Sequence, residues 1–542
     1  MRECLLNICK LRDTTPPYIF YSNLFQKKKR MLRSTSYRTL SKPLLRHLSL
    51  LRKNAMAPIS TSAVLGSKQG SDATITPPPV LFNVKDTARV VTLNRPRKLN
   101  AINTEMSEML FNTLNEYSKS DLINLIIIKS SNSPRSLSAG GDVATASAFN
   151  LAGEFDKSAD FFQKEYSMDL LLATFNKPIV TFMDGITMGG GVGLSIHAPF
   201  RVSTEHTKWA MPEMDIGFFP DVGVTFAMPR IITLANTRAQ MALYLCLTGE
   251  ILSGEDAYIL GLSSHYVPHE NLKNLEERLC EIHEAEVYGH EPSMESMMDM
   301  IDGAIKEYST QLPNGYKFRY SDEQLDVIEK CFDISKVQMI GDVIRNLEAY
   351  SGSSEAVNFA LSVKERLLKK SVTSMNIAIR LMQDNSVDHI QATIRKDIFT
   401  SINMCLNNVD NLSEFTEAVK HKLIDKKKTP YNWRVKLTDE ITPSQITSLI
   451  SPKPSIPVSS LKNAINVTWN DYPYHYRYQM PTEKMIKEYI EANKPEDKEV
   501  VLNYFVNQNS LTRDKPGIRY VVGNILRRHC DSVEGSTLRW TD

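Results

Sequence analysis

Two clusters of glycine, each directly after a β-type run, constrain this chain more than any other feature of its 542 residues. Ser138-Ala139-Gly140-Gly141-Asp142 follows the apolar run LIIIK, and Gly189-Gly190-Gly191-Val192-Gly193 follows PIVTFMDG. Glycine lets a backbone N–H approach a ligand with no Cβ in the way. At a strand-to-helix junction the orphan amides and the positive helix end face one point. Two such junctions together suit an oxyanion, whereas either alone equally serves chain reversal. Neither has the spacing of a P-loop or a dinucleotide fold, because no Gly-Lys-Ser/Thr occurs and no Gly-x-Gly-x-x-Gly opens a helix.

The flanking text predicts an α/β body. VLFNVKD and ARVVTLN read as paired strands joined at Asp86-Thr87, and NTEMSEMLFNTLNEYSK places Met106, Met109, Leu110, Leu114 and Tyr117 on one helical face. LINLIIIKS and PIVTFMDG are buried strands, and FRVSTEHTKWAMPE reads as one more. Strands alternating with helices give the fold class, and beyond about residue 225 the pattern turns mostly helical.

A third segment sets Glu213 and Asp221 among apolar neighbours. Desolvation there raises carboxyl pKa values and suits them to proton transfer. The alternative is a pair of capping acids, with Pro220-Asp221 starting the TFAMPRII helix.

Charge divides the chain. Residues 1–53 carry 13 basic and 2 acidic side chains, whereas the rest carries 51 basic and 60 acidic. The run from Met31 holds Arg33, Arg38, Lys42, Arg46, Arg52 and Lys53 with serine, leucine and no acid. Residues 1–56 therefore read as a mitochondrial transit peptide, with a basic nucleic-acid-binding tail as the alternative, and 57–79 as a linker. No apolar run reaches the roughly 18 to 20 residues of a membrane-spanning helix. The seven cysteines lack paired spacing and read as reduced thiols rather than a disulfide framework. No metal site is expected: there is no Cys-x-x-Cys, and Pro268 between His265 and His269 disfavours a helix carrying both rings on one face.

AGGD at 139–142, GITMGGGVGLSIH at 185–197, MPE at 211–213 and FPDVG at 219–223 together resemble the crotonase superfamily, and within it the 3-hydroxyisobutyryl-CoA hydrolases. The match runs from about 80 to 450, with LNRPRKLNAIN and EFTEAVKHKLIDKKKTP included. The resemblance implies a spiral of ββα units over 80–265 and a helical region over 266–450. It also implies an acyl-CoA substrate whose thioester carbonyl is polarised by two backbone amides. Those amides would be Gly141 and Gly190, with Glu213 as nucleophile or as base for water and Asp221 orienting water or protonating the leaving side. Glu165, Ala139 and Asp142 would contact substrate, and Arg95 and Lys98 would pair with CoA phosphates or remain surface charges. No cofactor is implied, since coenzyme A enters as part of the substrate.

The hydratases of the superfamily need a second glutamate three residues past the middle glycine of the triplet, where this chain has Gly193. Thioester hydrolysis is therefore favoured over hydration. Other departures are Pro134-Arg-Ser-Leu-Ser138 ahead of AGGD, and Val224 where a second glycine is usual.

Residues 451–542 lie beyond the resemblance. Tyr472, Tyr474, Tyr476 and Tyr478 alternate as on one face of an extended segment, followed by a basic end with Arg519, Arg527, Arg528 and Arg539. Such a segment either docks on protein or RNA or folds against its own domain. Fungal relatives of this kind are components of the mitochondrial ribosomal small subunit. The expected location is thus the mitochondrial matrix, with a ribosome partner engaged through 451–542. On that reading, removing 452–542 abolishes ribosome association and spares hydrolysis.

Overall fold

The computed structural model describes residues 77–282, 293–437, 441–453, 465–531 and 537–541. The transit-peptide reading, most of the linker reading and most of SPKPSIPVSS fall outside the described residues.

The chain winds between two sheets. β1 (Val80–Lys85) and β2 (Ala88–Leu93) form the predicted hairpin, and β2 continues into parallel pairing with β3 (Leu125–Ser130), β5 (Ile179–Met183), β7 (Phe200–Ser203) and β10 (His265–Tyr266), in the order β1-β2-β3-β5-β7-β10. The second sheet has the order β4-β6-β8-β9, from β4 (Ser136–Ser138), β6 (Ile186–Met188), β8 (Lys208–Ala210) and β9 (Leu252–Ser253). Each of three successive turns of chain thus lays one strand in each sheet, β3 then β4, β5 then β6, β7 then β8. This is the expected spiral.

Strand alternation feeds two cores. Val91, Leu93, Ile126 and Ile128 point into one hydrophobic cluster, while Val90, Leu125 and Ile127 point into the other. That explains why LIIIK is apolar on both faces. The single strand read in FRVSTEHTKWAMPE is instead two, β7 and β8, in different sheets. Thr204 and Thr207 make the break, the Thr204 N–H donating to Thr207 Oγ1 at 2.9 Å and the Thr207 N–H to the Thr204 carbonyl at 3.1 Å.

The helices that frame the site follow the hydrophobic pattern. α1 (Thr104–Lys119) is capped by the Asn103 side chain and buries Met106, Leu110 and Leu114. α2 (Val143–Leu151) leads into α3 (Phe155–Ala173), whose C-terminal half is buried all round. α4 (Gly190–Ile196) opens at the glycine triplet and α5 (Val224–Ile231) follows Gly223. From the helical half, α6 (Val372–Asn385) packs on α5, and α7 (Ile390–Leu406) runs along α3. No described helix is long and apolar enough to cross a membrane.

The described part of the extension folds against the body. Tyr472, Tyr478 and Met480 are buried, His475–Tyr478 forms a helical turn, and only Tyr476 of the four tyrosines is exposed. The expectation of one tyrosine face on an extended segment is therefore corrected: apolar burial of Tyr472 and Tyr478 in the body overrides the alternation. α8 (Glu483–Asn493) and α9 (Ile518–His529) continue the layer. Two arginines of the basic end are paired with acids of the body, Arg527 with Asp322 at 3.0 Å and Arg528 with Glu329 at 2.6 Å, while Arg519 and Arg539 are exposed.

Candidate active site

The two glycine clusters meet. A Cβ on Gly190 would lie 3.1 Å from the Gly141 nitrogen, so the two backbones face each other across a gap too narrow for any side chain. Gly140 at φ +109° and Gly189 at φ +49° make the turns that aim them. Neither the Gly141 nor the Gly190 N–H donates a backbone hydrogen bond among the described residues. Gly190 is the first residue of α4, where intrahelical partners are lacking.

Three carboxyls converge on this gap. Glu165, from α3, lies across it: the same Cβ on Gly190 would be 2.4 Å from Glu165 Oε1, and one on Gly141 would be 3.1 Å from Oε2. At 2% exposure Glu165 is no solvated helix acid. Glu213 opens a short turn after β8, and its Oε1 would be 2.9 Å from a Cβ on Gly189. Asp221 accepts a hydrogen bond from the Tyr166 hydroxyl at 2.8 Å. It does not cap α5, whose N-cap is Gly223, so the capping alternative gives way to a buried acid aimed at the site.

Burial dominates the electrostatics. It raises Glu213 well above the usual carboxylate range, and the Asp221 charge raises it further. Burial also lifts Asp221 to about 7, against the pull of the Tyr166 hydrogen bond. Glu165 is raised by burial and then by Asp221. With no cation beside them among the described residues, Glu213 and Asp221 resist being ionised together, so the pair holds a proton near neutrality. A protonated acid and a carboxylate side by side can pass protons in both directions within one reaction.

Behind them lie acids that sequence reasoning missed. Asp169, one helical turn after Glu165, has neither oxygen hydrogen-bonded, and Asp397 on α7 bonds only through Oδ2, which accepts the Gly223 N–H at 2.8 Å. Burial raises both well above the ordinary range. The four-residue spacing from Glu165 would have revealed Asp169; no local signal points from Asp397 to Asp221. The missing second glutamate has a steric counterpart, since a Cβ on Gly193 would strike Val222 Cβ at 2.8 Å and Asp169 Oδ1 at 2.9 Å.

At the rim, Arg95 Nη2 pairs with Asp142 Oδ2 at 3.2 Å and Arg95 also bonds the Ala101 carbonyl. Arg95 and Asp142 thus hold each other and brace the Gly141 loop. Lys98 and Ala139 are exposed beside them. Elsewhere, His265 bonds Asp302 at 3.1 Å and His269 bonds Asp184 at 2.7 Å, so the two rings serve different acids. Glu329, Glu483 and His529 bring three potential ligand atoms within 4.8 Å of one another. However, Arg528 sits among them, and both Glu483 oxygens accept backbone amides, from Ala235 at 2.6 Å and Asn236 at 2.8 Å. That set suits an ion-pair network rather than a cation site. The five described cysteines are buried and free.

Residues 88–450 match the family described as enoyl-CoA hydratase/isomerase. The chain is 34% identical over 488 residues, 89% of its length and 91% of the relative's, to the small ribosomal subunit protein mS47 of Neurospora crassa. It is 32% identical over 389 residues, 72% of its length and 92% of the relative's, to the mitochondrial 3-hydroxyisobutyryl-CoA hydrolase of Homo sapiens. Among solved structures, a carnitinyl-CoA dehydratase from Mycobacterium thermoresistibile superposes with a TM-score of 0.56 at 26% identity, over 70% of this chain and 97% of that one. The two-sheet spiral, the facing glycine amides and these similarities agree: the chain belongs to the enoyl-CoA hydratase/isomerase (crotonase) family.

Proposed function

We propose that this protein hydrolyses the thioester of 3-hydroxyisobutyryl-CoA in the mitochondrial matrix. The observation that carries the reading is the Glu213–Asp221 pair, buried and without a counter-cation, beside two unengaged amides and with no acid at Gly193. The thioester carbonyl oxygen accepts from the Gly141 and Gly190 amides, each such donor contributing about 3 kcal/mol to the developing oxyanion. Glu213 either attacks the acyl carbon, giving a mixed anhydride that water then opens, or takes a proton from water as its oxygen attacks. As the C–S bond breaks, the sulfur leaves with the bonding pair and receives the proton that the Glu213–Asp221 pair holds. Glu165 lies across the amide gap and hydrogen-bonds the substrate's 3-hydroxyl. Lys98 at the rim takes a CoA phosphate. The protein needs no metal or separate cofactor on this reading.

The test is thiol release from 3-hydroxyisobutyryl-CoA by protein lacking residues 1–56, with Glu213→Gln as control. Release that the substitution abolishes supports the assignment; hydration of crotonyl-CoA at a rate rivalling thioester cleavage overturns it.

A second reading coexists with the first: membership of the mitochondrial small ribosomal subunit. It is favoured because the likeness to mS47 of Neurospora crassa spans 89% of the chain, well beyond the 88–450 of the family match. Co-sedimentation of the full chain with mitochondrial small subunits, unaffected by Glu213→Gln, is expected. Its absence removes this reading and leaves the hydrolase.

A further inference from the structure

One side chain of the C-terminal extension is linked through His197 to the loop that carries Asp221. Tyr472 is 4% exposed, stacked on His475 with ring centroids 3.9 Å apart and edge-on to Phe226 at 5.2 Å. Its hydroxyl lies 2.6 Å from His197 Nδ1, and His197 Nε2 lies 2.8 Å from the Val222 carbonyl oxygen. Chemistry assigns the hydrogens. A carbonyl only accepts, so Nε2 carries the proton; burial keeps the imidazole neutral, which leaves Nδ1 as an acceptor, and the Tyr472 O–H donates to it.

The bond lands on a place that needs holding. Val222 stands between Asp221 and Gly223 at φ +52°, a backbone conformation that a β-branched residue keeps only when its surroundings over-determine it. From the other side, Asp397 holds the Gly223 N–H. The Asp221 loop is therefore clamped at the Val222 carbonyl by His197 and at the Gly223 amide by Asp397, and the first clamp depends on a residue outside the 88–450 family match.

We propose that Tyr472 is a positioning residue for Asp221: it fixes the Nε2–H tautomer of His197, which pins the Val222 carbonyl and with it the acid, so that the extension is part of the catalytic apparatus. This deepens the thioesterase reading and rests on it. It also reverses the expectation that removing 452–542 spares hydrolysis.

The test compares full-chain protein with Tyr472→Phe, which keeps both ring contacts and removes the hydroxyl. Thiol release is measured together with the imidazole nitrogen-15 shifts of His197, assigned with a His197→Gln variant. The expected result is a kcat about ten-fold lower, a KM within about two-fold of the parent, and a His197 tautomer that becomes mixed. A merely structural role would lower the melting temperature and leave the tautomer unchanged. The proposal is overturned if kcat is unchanged, whether or not the tautomer moves, or if kcat falls while His197 remains wholly Nε2–H. Should the parent protein release no thiol, the hydrolase reading fails by itself. Backbone shifts of Val222 and Gly223 in Tyr472→Phe then decide the clamp: movement supports it and invariance overturns it.

Discussion

Glu213 and Glu483 are both buried glutamates, and their surroundings push them in opposite directions. Burial raises Glu213, and the charge of Asp221 raises it again. Burial works on Glu483 in the same sense, but His529, the Asn236 amide and Arg528 outweigh it and hold the carboxyl below its usual range. Burial of an acid therefore does not distinguish chemistry from architecture. The supply of counter-charge does. In the crevice the chain withholds cations and leaves acids poised to trade protons, at a cost in stability; in the extension it supplies them and fastens α8 and α9 to the body.

Exchanging the two behaviours should be impossible, and the largest effect tests that. Glu213→Gln is expected to lower thiol release on the order of 10³-fold with no loss of stability, because it removes a carboxyl that the fold does not pair. Release and a denaturant titration on the same sample check it; a parallel fall in stability would make Glu213 as structural as Glu483.

Glu483→Ala should do the reverse. It leaves two buried amides without their acceptor and takes one carboxylate from Arg528 and His529, which keep Glu329, and about 3 kcal/mol of stability is lost. Urea titration of the folded protein measures it, and limited proteolysis should place the first cuts in the extension.

The two regions also answer to different pH windows. His529 is opposed by burial but raised to about 9 by Glu329 and Glu483, so the native state holds a proton that the unfolded chain releases. Its contribution is full below about pH 6.5 and is lost as pH rises through 9, on the order of 3 kcal/mol. Asp221, raised to about 7, likewise favours the protonated native state, but its loss falls earlier, as pH rises from about 4 to 7. His529→Gln should reduce the loss only in the upper window and Asp221→Asn only in the lower, where the other raised acids keep part of the slope, in denaturant midpoints collected across pH 4 to 10.

The smallest expected change is a gain. Asp169→Asn replaces a carboxyl whose oxygens have no partner by an amide that can donate to the neighbouring acids, and should stabilise the protein by about 1 kcal/mol at pH 8. The gain should vanish below about pH 4, where the carboxyl is protonated in both states. A stabilisation independent of pH would mean that the unpaired charge was never the cost.

Much of this was legible from the chain. Both glycine clusters, the Glu213 and Asp221 segment, the β1–β2 hairpin and the apolar face of α1 all appear where local pattern places them, because each is specified by residues close together in sequence. Glu165 was singled out through the resemblance, and the helical spacing of four residues places Asp169 on the same face. The break between β7 and β8 was missed because paired threonines close a turn without the usual glycine or proline. The tyrosine alternation misled because helical winding and burial against the body replaced the extended geometry it assumed.

What the sequence determined by itself is what covalent neighbours can fix: strand and helix periodicity, glycine where backbone must meet backbone, and acids on the segments that line the gap. Only the tertiary structure decided which buried acids receive a cation, that Arg95 would spend its charge on Asp142, and that Tyr472 would reach His197 from beyond the family's matched span. Those outcomes depend on desolvation and on partners distant in sequence, and a carboxyl's neighbours in space are set by packing rather than by the residues beside it in the chain.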